Sequence, residues 1–277
     1  MIAAPVATGW DCHAHLFGPY DRHPLAAERS YTPPEAIESQ YQSLLERLGL
    51  AHGVLVHPSA YGKDHSLLLS VLAARPAWRG VVVVQADHDL PLAGLHARGV
   101  RGARFSHRSA AGANFAGSAS FDDLRALAPA LADAGLHAEL WTDTRALQDI
   151  APQLLQLPVP VVIDHMGGFD VTAGTGDAGF RALLELLASG KVWVKLCAYR
   201  NLLTAPEPEA GRAFQQAMIE TRPDRLVWGS DWPHLRVTPV PDAADLLAMF
   251  RRWCGTHEGA IEIADRILND NPGRLYQ

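Results

Sequence analysis

The sequence predicts an α/β protein of the (β/α)8-barrel (TIM barrel) class. Eight short apolar runs rich in Val, Ile, Leu and Trp recur along the 277 residues. A segment of helical period follows nearly every run. Near-continuous apolar strands separated by helices imply a parallel sheet buried on both faces. Eight such units in this length are the barrel pattern. A doubly wound open sheet is the competing architecture, but no G-x-G-x-x-G follows any of the strands. Without a linker or low-complexity segment, residues 1–277 read as one domain.

The elements follow in order. Gly9-Trp10-Asp11-Cys12-His13-Ala14-His15 is the first strand. Side chains two apart share a face, so His13 and His15 point the same way. Leu16 to Pro33, with Gly18, Pro19 and Pro24, is a loop long enough to carry function. Ile37, Tyr41, Leu44, Leu45 and Leu48 then keep helical spacing, and Gly49 is the stop. Further strands are expected at 53–59, 80–87, 100–105, 136–141, 159–165, 192–197 and 225–228. Helices are expected at 64–74, before Arg98, and at 121–134, 144–155, 178–189, 207–221, 242–254 and 258–268.

Composition narrows the function. A chain 48% hydrophobic and 19% charged can build a large core, and a net charge of -6 argues against nucleic acid as partner. No run approaches the roughly 18 apolar residues of a membrane span. The opening Met1-Ile2-Ala3-Ala4-Pro5 lacks the basic start of a signal peptide. Cys12, Cys197 and Cys254 show no paired spacing, which fits a reduced, cytoplasmic protein. A monomer or homodimer is expected.

In a barrel, chemistry gathers at the C-terminal ends of the strands. Those ends carry His13 and His15, His57 and Ser59, Arg104 with His107 and Arg108, Trp141 and Asp143, Asp164 and His165, Tyr199 and Arg200, and Asp231 with His234 and Arg236. Singly, each has a plain explanation: a helix cap for Asp231, hydrogen-bonded scaffolding for a histidine, a surface ion pair for an arginine. Arg101, facing away from Arg104, reads as a surface residue. Together they would cost much to bury without use. Two chemistries fit. His13, His15, His165 and Asp231 could bind one divalent metal such as zinc, which acidifies a bound water. Alternatively no metal is required: Asp231 is a general base and the histidines polarise a carbonyl. In both, the arginines fork onto carboxylates, so the substrate carries more than one anionic group.

Five stretches, Asp11-Cys12-His13-Ala14-His15-Leu16-Phe17-Gly18-Pro19, Glu28 to Pro33, Gly99 to Phe105, Val162 to Gly167 and Trp228 to His234, with the ending Asn269 to Tyr276, resemble the amidohydrolase superfamily. Within it the chain is most similar to 2-pyrone-4,6-dicarboxylate hydrolase-like lactonases. The resemblance implies a distorted (β/α)8 barrel that hydrolyses a small anionic lactone. It implies Asp231 as base, His13, His15 and His165 around the scissile carbonyl, and Arg104, Arg200 and Tyr31 on substrate, with Ser59 and Arg108 beside them. No Lys or Glu matches a bridging ligand at the end of strand 4, and Glu139 lies inside strand 5, so a binuclear centre is not expected. Trp141 stands where the pyrone enzymes carry Tyr, and Arg236 where a small amide is expected. These departures leave pyrones, sugar-acid lactones and muconolactones open. A metal-dependent hydrolase or decarboxylase, a lactone isomerase and a non-catalytic sugar-acid binder are the other readings.

Overall fold

The computed structural model describes residues 8–87, 90–109, 115–203, 205, 207–255 and 258–277. Eight parallel strands form one sheet in sequential order: β1 Trp10–Ala14, β2 His52–Val56, β3 Arg79–Val83, β4 Val100–His107, β5 His137–Thr142, β6 Val161–Ile163, β7 Val192–Leu196 and β8 Leu226–Trp228. The sheet closes where Ala14 bridges Trp232 and the Asp231 amide donates to the His13 carbonyl at 2.8 Å. This is the expected (β/α)8 barrel.

The helices are α1 Glu38–Leu48, α2 Ser66–Ala74, α3 Phe121–Asp133, α4 Thr144–Leu154, α5 Ala178–Ala188, α6 Arg212–Thr221, α7 Ala243–Cys254, α8 Glu258–Asp265 and α9 Asn271–Tyr276. Their apolar stripes seal the outside of the sheet. In α1 the buried positions are Tyr41, Leu44, Leu45 and Leu48, and Gly49 ends the helix at φ 70°. Ser120, Asp143, Asp177 and Asp242 cap α3, α4, α5 and α7 through their side chains. Such caps contribute about 1 kcal/mol each. The expected helix before Arg98 is only the single turn His96–Arg98, because Pro91 and Gly94 interrupt that stretch. The expected continuation of α8 to Leu268 is instead a π turn, Arg266–Asp270. The opening Met1 to Pro5 lies outside the described residues.

The inside of the barrel has a dry floor and a polar middle. Trp10, Cys12, Val54, Val56, Val81, Val162, Trp193, Val227 and Tyr276 pack the floor. Arg79 and Arg101 both donate through Nε to the Tyr276 carbonyl, at 2.9 and 3.0 Å. Arg101 is therefore not the surface residue that alternation suggested. A register shift between Gly80 and Val81 leaves it out of the β3–β4 pairing, and the bulge sends it beneath the barrel. Above the floor, Glu139 on β5 and Lys195 on β7 are fully buried and paired with each other.

Candidate active site

The C-terminal ends of the strands surround a cavity of about 790 Å³. His15, Tyr31, Ser59, Arg104, Arg108, Trp141, His165, Arg200, Asp231 and Arg236 all line it. His13 lies just beneath, fully buried. The residues the resemblance placed on substrate thus reach one mouth, whereas the strand-end residues His107, Asp164, Tyr199 and His234 do not line it.

Asp231 occupies the turn after β8 at φ 60°, a conformation Asp tolerates better than most residues. Its Oδ2 accepts from the Tyr199 hydroxyl at 2.7 Å and from Arg200 Nε at 2.5 Å. Its Oδ1 has no hydrogen-bond partner among the described residues. That oxygen faces His15 Nε2 at 3.4 Å and His13 Nε2 at 3.7 Å. Burial pushes the Asp231 carboxyl up, but Arg200 and the imidazoles of His165, His15 and His13 outweigh it and hold it well below the usual range. Asp231 is ionised at neutral pH, with one oxygen fixed and one oxygen free.

The two β1 histidines do point the same way, and their surroundings differ. His15 donates through Nδ1 to the Val56 carbonyl at 2.8 Å, which turns its Nε2 toward Asp231. The β-carbon and backbone nitrogen of His13 lie close to Gly229, where any added β-carbon would be 2.7 Å from His13 Cβ. A side chain at 229 would displace the histidine. His165 sits at φ 48° at the head of the turn His165-Met166-Gly167-Gly168, with its ring 4.9 Å from that of His13. Burial lowers the His165 imidazole to about 4, and burial with Lys195 holds His13 well below the usual range. Both rings are neutral at pH 7.

The arginines divide into two kinds. Arg104 donates through Nε to Asp164 at 2.8 Å, and Arg200 to Asp231. The two guanidiniums expected to hold substrate carboxylates are thus each matched to a carboxylate of the protein, although both still face the cavity. Arg108 lies over Trp141 at 4.7 Å, and its buried Nε has no partner among the described residues. Arg236 lies over Tyr31 at 4.7 Å and donates to the Ser30 carbonyl. Neither forms a salt bridge with a carboxylate among the described residues, although Arg108 is near enough to Asp143 to help lower its carboxyl.

Sequence reasoning left out Lys195, named Glu139 only as a residue inside strand 5 and not as its partner, and named Asp164 and Tyr199 only as strand-end residues. The signal was present in β7: Lys195 interrupts an apolar run two residues after Trp193, on the same face. A lysine at an inward strand position needs a buried acid, and Glu139 holds the matching inward position on β5.

His13, His15 and Asp231 bring one donor atom each within 4.8 Å of one another, and His165 joins Asp231 with Cys197 in a neighbouring group. Two ligand atoms of this group, His13 Nε2 and Asp231 Oδ1, lack hydrogen-bond partners among the described residues. Nitrogen and carboxylate donors so placed fit one divalent ion such as zinc.

A parallel barrel with an ionised aspartate after β8 and histidines from β1 and β6 defines a hydrolase of the amidohydrolase type. The sequence matches the amidohydrolase family model over residues 10–277, and the chain belongs to that family. It is 32% identical over 275 residues to a 4-sulfomuconolactone hydrolase of Rhizobium radiobacter, covering 96% of this chain and 89% of that one. It is 32% identical over 279 residues to a 2-pyrone-4,6-dicarboxylate hydrolase of Comamonas testosteroni, with the same coverage. A solved structure from Acinetobacter baumannii, described as a probable 2-pyrone-4,6-dicarboxylic acid hydrolase with citric acid bound, superposes with a TM-score of 0.80 at 26% identity. That match covers 97% of this chain and 99% of the other. Among the described residues no helix is long and apolar enough to cross a membrane.

Proposed function

We propose that the protein opens a small lactone carrying two anionic groups, with Asp231 as the base that activates water. The observation that carries this reading is the asymmetric carboxylate: Oδ2 fixed by Tyr199 and Arg200, Oδ1 bare and facing the histidines. Water at Oδ1 gives up a proton as its oxygen bonds to the lactone carbonyl carbon. The charge that develops on the carbonyl oxygen is met by His13 and His165, pre-placed and neutral. The bond to the ring oxygen then breaks. Asp231 returns its proton to the departing enolate or alkoxide, and a ring-opened acid leaves.

Arg108 on Trp141 and Arg236 on Tyr31 supply the two seats for anions. Arg104 and Arg200 add their remaining N–H groups but are already half spent on Asp164 and Asp231. The names of the relatives support this substrate class, since a pyrone dicarboxylate and a sulfomuconolactone each pair a lactone ring with anionic substituents. Citrate, held by the Acinetobacter protein, is likewise a polyanion.

If a divalent ion binds, His13, His15, His165 and Asp231 would hold it, and it would supply an acidified water. The steps above use side chains alone, so turnover should persist after exhaustive chelation. A panel of anionic lactones in ¹⁸O-labelled water tests the whole reading. The expected product is heavier by one labelled water. A product of the substrate's own mass would make the enzyme an isomerase, and inertness toward every anionic lactone would refute the proposal.

A further inference from the structure

We infer that Lys195 is a positioning residue: its contact with His13 Nδ1 fixes the tautomer of that imidazole and makes Nε2–H the donor offered to the lactone carbonyl. Lys195 is fully buried, and its ammonium has three protons to place. Three acceptors surround it: Glu139 Oε1, His13 Nδ1 at 3.2 Å and Asp164 Oδ1 at 3.5 Å. An ammonium can only donate, so Nδ1 must accept. A neutral imidazole that accepts at Nδ1 carries its hydrogen at Nε2. Here Nε2 is buried without a partner among the described residues, and 3.7 Å from Asp231 Oδ1 is too long for a hydrogen bond. The donor is therefore unspent and free for substrate.

The opposite tautomer has a partner waiting. Asp164 Oδ1 lies 3.4 Å from the same Nδ1, close enough to act on the His13 imidazole, and has no well-aligned hydrogen bond among the described residues. Without the ammonium, Nδ1–H would turn to Asp164 and Nε2 would become a lone pair. The ring would then lose its capacity to donate to a carbonyl and could ligate a metal without first moving its hydrogen from Nε2. Glu139 keeps Lys195 in place by neutralising it in the barrel interior.

The kinetic part of this inference rests on the proposed lactone hydrolysis, whereas the tautomer is read without substrate. Protein carrying ¹⁵N-histidine, with the His13 signals assigned by their absence in His13→Gln, should show a pyridine-type Nδ1 and a pyrrole-type Nε2. Lys195→Met leaves Glu139 buried and unpaired, so the double variant Lys195→Met/Glu139→Leu is made beside it. In the double variant the two nitrogen signatures should exchange and zinc, titrated into metal-free protein, should bind more tightly than to the wild type. On a lactone substrate, kcat should fall about 10²-fold, as for loss of an oxyanion donor, with KM within about threefold. A wild-type spectrum with pyrrole-type Nδ1, a double variant that keeps the wild-type pattern, or unchanged zinc affinity would overturn the inference. If no lactone is turned over, the hydrolysis proposal fails while the spectra still decide the tautomer.

Discussion

Replacing Asp231 by Asn separates chemistry from architecture at this site. The amide is isosteric, and Asn tolerates the φ of 60° found there. The backbone bond from residue 231 to the His13 carbonyl, which closes the barrel, is untouched. Tyr199 can still donate to the amide oxygen. Arg200 loses its anion, but its side chain is 27% exposed and can turn to solvent. What disappears is the unpartnered, negatively charged Oδ1. A positioned general base is worth about 10²-fold or more, so the barrier should rise by about 2.7 kcal/mol at 25 °C. Initial rates of ring opening, followed by the ring chromophore or by acid release, measure it, with circular dichroism and thermal unfolding as fold controls. Near-native turnover in a folded Asp231→Asn protein would refute the role of the carboxylate and, with it, the proposed order of proton transfers.

Other perturbations bear on separate parts of the structure. Arg108→Met and Arg236→Met each remove an aromatic-backed cation, and each should raise KM about tenfold with kcat little changed; equal losses in both constants would mean that these groups act in the transition state instead. Gly229→Ala would bring a β-carbon to 2.7 Å from His13 Cβ, so unfolding should cost about 1–3 kcal/mol less and activity should drop; an unaltered melting temperature and rate would show that His13 can shift freely. Burial, reinforced by His65, lowers His57 from 6.5 to about 3. The unfolded chain binds this proton between those values and the folded one does not, so the stabilisation present above pH 6.5 is lost as pH falls toward 3. By pH 5 the loss is about 2 kcal/mol. In His57→Gln the difference in urea midpoint between pH 7 and pH 5 should shrink, and an unchanged difference would assign the acid sensitivity elsewhere.

The barrel and the occupants of its mouth were legible because both follow from short-range rules. Apolar runs of strand length gave the eight strands, and parity placed His13 and His15 on one side. Motif order then brought Asp231 to the same rim. Local pattern could not show which charges had already found each other. Arg104 and Arg200 read as free cations because their partners, Asp164 and Asp231, lie 60 and 31 residues away in the chain. The Lys195–Glu139 pair depends on β5 and β7 facing one another across the closed barrel, which is a property of the assembled fold. Arg101 was misread because a bulge interrupts the alternation on which its orientation was judged.

The internal matching of Arg104 and Arg200 has a consequence for capture in electrolyte. Four guanidinium groups at one rim suggest a strong attracting field, yet two are cancelled at contact distance by Asp164 and Asp231. Arg108, partly offset by Asp143, and Arg236 carry most of the field that these four guanidiniums turn toward an arriving anion. At physiological ionic strength that field decays over about 8 Å, so added salt should slow encounter only mildly. The inner pairs, shielded from counterions by burial, should keep their geometry throughout.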